Sequence, residues 1–338
     1  MQFLSDNTAP AAPQVLAALC AANHGSARAY GDDDWSRRLE AAFSQYFEHP
    51  VRAFPVSTGT AANALALATL TPPYGAILAS QDAHVVHDEC GACELQSGGA
   101  RLTRVPAEQG RLSAAALAQV LDDQVLSVHC VQPAAVTITQ ATECGTVYRP
   151  SDIAAIAGVA HARGLKLHMD GARFANALAH LNATPAALTW QAGVDVLSFG
   201  ATKNGALSAE AVVFFDGRLA RDFELRRKRA AHLLSKMRYV SAQLLACLEG
   251  DFFLPNAARA NRLAQQIAGA AGARLLFPVE ANALFLKLLP GEAEALRAQG
   301  FEFHPWGAPR QGAARFVVSW DQSQSDVDAL CRALAAWN

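Results

Sequence analysis

Apolar and polar positions along this chain switch between two periods. Short runs rich in β-branched and apolar residues recur from about residue 51 to about residue 216, separated by stretches whose apolar residues repeat at helical spacing. That alternation predicts a largely parallel sheet covered by helices. The predicted strands are Arg52–Val56, Ala76–Ser80, Arg101–Val105, Val125–Val131, Leu165–Met169, Val194–Phe199 and Ala211–Phe215. After Asp216 the pattern becomes helical and basic, and Asp251-Phe252-Phe253-Leu254-Pro255 marks a break. Strands near Arg274–Phe277, Ala283–Leu288, Phe301–His304 and Arg315–Trp320, with a last helix over Asp326–Trp337, predict a smaller α+β unit. The expected class is therefore α/β: a large domain over residues 1–250 with a mostly parallel seven-stranded sheet, and a small C-terminal domain over residues 251–338.

Composition agrees with two units. A chain of 338 residues, 51% of them hydrophobic, can bury a large core and exceeds the usual size of one domain. The formal net charge of −2 gives no general attraction to nucleic acid or anionic membrane. Seven scattered cysteines do not form a secreted disulfide pattern. The start, Met1-Gln2-Phe3-Leu4-Ser5-Asp6, lacks a basic, apolar leader, and no uninterrupted apolar run reaches about 18 residues. A cytoplasmic protein acting on small molecules is expected.

The candidate chemistry lies at strand ends, where open α/β sheets bind ligands. Ser198-Phe199-Gly200-Ala201-Thr202-Lys203-Asn204-Gly205-Ala206 places a lysine between small residues just after an apolar strand. Partial desolvation there destabilises the ammonium and frees the amine for an imine link to a carbonyl cofactor. Upstream, Leu165-Lys166-Leu167-His168-Met169-Asp170-Gly171-Ala172-Arg173 ends a strand in an aspartate, the group a pyridinium ring nitrogen needs. Val56-Ser57-Thr58-Gly59-Thr60-Ala61-Ala62-Asn63 runs from a strand into a helical pattern, and its unpaired N–H groups suit a phosphate. Each motif alone has an ordinary explanation: a solvated surface lysine, a strand-end carboxylate, a Ser/Thr helix cap.

Taken in order, phosphate turn, aspartate and lysine resemble the fold type I pyridoxal-phosphate enzymes, and in detail the low-specificity L-threonine aldolases. The matching residues are Ser5-Asp6-Asn7, Ser57 to Asn63, Ala83-His84, His168 to Arg173, Thr202-Lys203 and Arg315, spread over nearly the whole chain. The resemblance implies pyridoxal 5'-phosphate held covalently by Lys203, its phosphate at Thr58, Gly59 and Thr60, its ring nitrogen on Asp170, its phenolic oxygen near Arg173, and His84 stacked on the ring. It also implies that Ser5, Arg173 and Arg315 bind the substrate carboxylate and that His84 takes the β-hydroxyl proton, directly or through water. The implied reaction is retro-aldol cleavage of β-hydroxy-α-amino acids, with L-threonine, L-allo-threonine and phenylserine-like compounds as candidate substrates. A homodimer or homotetramer with shared active sites follows from the same resemblance, with Arg238 reaching a neighbour's phosphate and Lys236 or Arg229 as alternatives.

The sequence also departs from that family. Ala230-Ala231-His232-Leu233-Leu234-Ser235-Lys236-Met237-Arg238 replaces a glycine-rich stretch, and Gln132 to Glu143 replaces an asparagine-threonine-histidine segment. Other readings compete. His84, His87, Cys90 and Cys93 have zinc-ligand residue types, but on a helix steps of three would turn the first and fourth to nearly opposite faces. The basic run Arg218 to Arg238 reads as a solvated helix face, without the aromatic interleaving expected of a nucleic-acid surface. β-Elimination on the same cofactor shell is the alternative reaction, and a cofactor-free binding protein is the non-enzyme alternative.

Overall fold

The computed structural model describes residues 1–307 and 312–337. Its strands in chain order are β1 (Arg52–Val56), β2 (Gly75–Ser80), β3 (Arg101–Val105), the short pair β4 (Ala107–Glu108) and β5 (Arg111–Leu112), β6 (Gln132–Thr139), β7 (Lys166–Gly171), β8 (Val196–Gly200), β9 (Glu210–Phe214), β10 (Ala283–Lys287), β11 (His304–Trp306) and β12 (Ala313–Val317). Seven of them form one sheet in the order β1-β9-β8-β7-β6-β2-β3. Pairing is parallel from β3 through β8, and β9 runs antiparallel to both β8 and β1. Strands β2, β8 and β9 are buried along their whole length, as continuous apolar strands covered on both faces must be.

The expected α/β class is what the fold shows, with one strand displaced. Val125–Val131 is not a strand: Val125, Leu126 and Val128 are exposed, and the sheet strand is β6, Gln132–Thr139. Pro133 offers no N–H to a ladder, so a proline is disfavoured inside a sheet strand. The structure absorbs it at a register shift, where Ala76 faces Pro133 and the next residue, Ile77, faces Ala135.

The second sheet has the order β10-β12-β11 and its own core, which includes Phe3, Leu284, Phe301, Phe316 and Leu330. Met1 to Phe3 belong to this packing, since Gln2 bridges Glu302 and Phe3 N–H donates to the Glu302 carbonyl at 2.8 Å. The expected strand Arg274–Phe277 is instead a short 3-10 turn, Gly272–Arg274, followed by a single bridge between Leu275 and Leu286. The last two strands are shifted along the chain, to His304–Trp306 and Ala313–Val317, and the final helix spans Gln324–Ala335. Among the described residues no helix is long and apolar enough to cross a membrane.

Candidate active site

Three chain segments leave the carboxyl ends of β1, β7 and β8 and converge on one cavity of about 460 Å³. After β1 comes Ser57, then Thr58, whose hydroxyl caps the helix Gly59–Leu70 by accepting the Ala61 N–H at 3.2 Å. Ser57, Thr58, Gly59 and Thr60 all line the cavity, and a Cβ added at Gly59 would meet nothing within 4 Å. This leaves an open helix N-terminus with uncommitted backbone donors, suited to an anion.

Asp170 ends β7. Its Oδ1 accepts the Ala172 N–H at 2.9 Å and its Oδ2 accepts Asn63 Nδ2 at 2.9 Å. His168, two residues earlier, is fully buried between Thr137 and Ser198, and burial pulls its pKa down to about 4. It is therefore a neutral brace beneath the site. Lys203 follows β8 on a 3-10 turn, Thr202–Asn204. Burial, then the nearby Arg173 charge, pushes its ammonium below the usual lysine range. Gly200 makes this approach possible, because a Cβ there would lie 2.6 Å from Ala172 Cα and 2.8 Å from the Gly171 carbonyl oxygen. The lysine turn and the aspartate turn are thus in backbone contact.

His84 stands in the same cavity with its Nδ1 2.9 Å from Glu89 Oε1. That hydrogen bond raises the histidine's pKa, and burial raises that of Glu89. Arg173 also lines the cavity, and its guanidinium is forked onto Asp6, with Nε to Oδ2 at 2.7 Å and NH2 to Oδ1 at 2.9 Å. The N-terminal segment is thereby tied to the site. Ser5 caps the turn Asp6–Thr8, and it is Asn7 that reaches the cavity wall. Arg315, on β12 between Phe285 and His304, feels the charges of Arg173 and Asp6, and its Nε is buried without a hydrogen-bond partner.

Arg238 is not in this cavity. It donates to the Gly25 carbonyl at 3.2 Å, in a surface depression shared with Arg28 and Lys236. The basic run around it is not uniformly solvated: Arg227 is buried, donating to the Pro55 carbonyl at 3.2 Å with its guanidinium over Phe54. His84, His87, Cys90 and Cys93 do not converge: His84 and Cys93 contact opposite oxygens of Glu89, His87 turns to the Gln81 carbonyl and Cys90 is exposed, and the described residues hold no group arranged to bind a metal.

Sequence reasoning passed over several residues of the site. Glu89 lies five positions after His84, in the bend between the short helices His84–His87 and Ala92–Ser97, and nothing in its sequence neighbourhood singles it out. Glu210 left a readable signal, a lone carboxylate opening an apolar strand. It is buried, lines the cavity, accepts the Ala201 N–H at 3.0 Å, and burial lifts its pKa to about 7. Asp6 and Glu143 had been seen only inside longer matching or unmatched segments.

Known proteins resemble this chain over nearly its whole length. A low specificity L-threonine aldolase from Pseudomonas sp. (strain NCIMB 10558) is 45% identical over 339 residues, covering 99% of this chain and 97% of that protein. Another from Pseudomonas aeruginosa is 46% identical over 98% of this chain and 96% of its own. The solved structure of Leishmania major threonine aldolase superimposes with a TM-score of 0.93 at 25% identity, covering 99% of both chains. The family model described as beta-eliminating lyase matches residues 2–288, and the chain belongs to that family.

Proposed function

We propose that this protein is a pyridoxal-phosphate-dependent aldolase that cleaves β-hydroxy-α-amino acids, L-threonine among them, to glycine and an aldehyde. The observation that carries the reading is the meeting of Lys203, Asp170 and the open helix N-terminus at Gly59 around one cavity. Its donors match the three ends of pyridoxal phosphate: an amine shifted toward its neutral form, a buried carboxylate, and uncommitted N–H groups. Lys203 would hold the aldehyde carbon, Asp170 the ring nitrogen, and Thr58, Gly59 and Thr60 the phosphate, with His84 against the ring. When bound, the cofactor supplies an electron sink for the pair released at Cα.

The chain's own residues do the rest. Asn63 and the Ala172 N–H fix the Asp170 carboxylate. Asp6 fixes the Arg173 fork, leaving the remaining N–H donors of Arg173 for the cofactor's phenolic oxygen and the substrate. Arg315, assisted by Ser5 and Arg173, binds the substrate carboxylate and so sets the angle of the Cα–Cβ bond to the ring. His84 contacts the β-hydroxyl, itself or through a water. The working form is a homodimer or homotetramer in the cytoplasm, with Arg238 turned to a neighbour's phosphate. Protein loaded with pyridoxal phosphate should be yellow and retain the cofactor after borohydride reduction. The Lys203→Ala variant should lose that covalent link, and an unchanged protein-bound chromophore in it would defeat the assignment.

A further inference from the structure

One carboxylate in the cavity has half of its bonding capacity unused. Glu143 follows β6, lines the cavity, and accepts the His84 backbone N–H on Oε1 at 2.7 Å. Its Oε2 is shielded from solvent and has no hydrogen-bond partner within 3.5 Å, although the Thr139 hydroxyl lies close enough to favour the ionised form. We propose that Glu143 is the catalytic group that takes the proton of the substrate's β-hydroxyl and gives it back for the new Cα–H bond.

The inference rests on the aldolase reading and deepens it. In retro-aldol cleavage the β O–H bond breaks, a carbonyl forms at Cβ, and the Cα–Cβ pair stays at Cα, where a C–H bond later forms. One proton moves from oxygen to carbon with no net uptake or release. The group that carries it must accept and donate at the same pH.

The other carboxylates in or beside the cavity are exposed or committed. Asp88 lines the cavity but is exposed to solvent, where its charge is felt by Arg315. Asp170 serves Asn63 and Ala172, Glu89 serves His84 and Asn63, and Asp6 serves Arg173 and Asn282. Glu210 holds the Ala201 N–H on the lysine side. His84 is a poor acceptor, because its bond to Glu89 favours the imidazolium. That form suits it to donate toward the β-oxygen.

Burial raises Glu143 to about 7, with Asp170 adding to the rise, so both protonation states are present near neutral pH. Charged and titratable groups facing it are Asp170, Arg173 and His84 across the cavity, and Cys144 and Tyr148 on its own loop.

Glu143→Gln tests this, because an amide oxygen still accepts the His84 N–H while the acid–base function is gone. Threonine cleavage should fall by about 100-fold or more. Exchange of glycine's α-proton with solvent, in which the same carboxylate carries the Cα proton, should fall by a similar factor, while retention of pyridoxal phosphate stays that of wild type. Infrared titration of the cofactor-free protein should show buried carboxyl absorption that disappears near neutral pH, and Glu143→Gln should lack Glu143's share of it while keeping that of Glu210. Glu143→Asp should recover part of the cleavage rate. The proposal is overturned if Glu143→Gln cleaves threonine normally, exchanges glycine's α-proton at the wild-type rate while cleavage is lost, or loses both reactions together with the cofactor. Wild-type protein that exchanges glycine's α-proton but releases no aldehyde overturns the aldolase reading and this proposal with it.

Discussion

The Asp6 carboxylate and the Arg173 guanidinium, 167 positions apart in sequence, meet through two hydrogen bonds of 2.7 and 2.9 Å. Asp6 is fully buried, and Asn282 adds a third bond to it at 3.0 Å. The pair therefore links the N-terminal segment, the aspartate turn after β7, and the segment leading into β10.

Removing one member of such a pair strands the other charge. Asp6→Ala should lower unfolding stability by about 3–5 kcal/mol, read from urea denaturation at neutral pH. Burial opposes ionisation of Asp6, but the charge and hydrogen bonds of Arg173 outweigh it and hold the folded pKa below the ordinary value. The contribution is thus present above the unfolded carboxylate pKa and is lost as pH falls through the lower folded value. The stability gap between wild type and variant should close on acidification. A constant gap across that range would refute the charge-based account.

Asp170→Asn keeps the shape of the side chain and removes its charge. Turnover should drop by more than about tenfold even in protein that retains cofactor, because an amide cannot stabilise a protonated ring nitrogen. Circular dichroism should remain unchanged. Turnover equal to wild type would remove Asp170 from its role.

The sheet and the three strand-end motifs were legible because each rests on local pattern: an apolar run, then a small or polar residue in a turn. β6 was not, because its proline reads as a break and only the register shift opposite Ala76 and Ile77 accommodates it. Exposed Val128 misled in the other direction, since an apolar residue in a loop carries the same letter as one in a core. Glu89 and Asp6 were not legible as site residues. Asn63 meets Glu89, and Arg173 and Asn282 meet Asp6, only through tertiary packing, while the local contact of Glu89 with His84 depends on a bend that residue types do not reveal.

Arg238 lies outside its own chain's cavity, beside Lys236 and Arg28. Sedimentation should find a dimer or tetramer, and Arg238→Ala should weaken retention of pyridoxal phosphate. A fully active monomer would contradict the shared site.

The most direct test of the central claim is the product balance from L-threonine. Retro-aldol cleavage breaks Cα–Cβ, whereas elimination breaks the bond from Cβ to the hydroxyl oxygen, and the two share the same cofactor shell. The account predicts glycine and acetaldehyde in equal amounts, with slower release from His84→Ala. Stoichiometric 2-oxobutanoate and ammonia without glycine would contradict the aldolase reading while leaving the cofactor site intact.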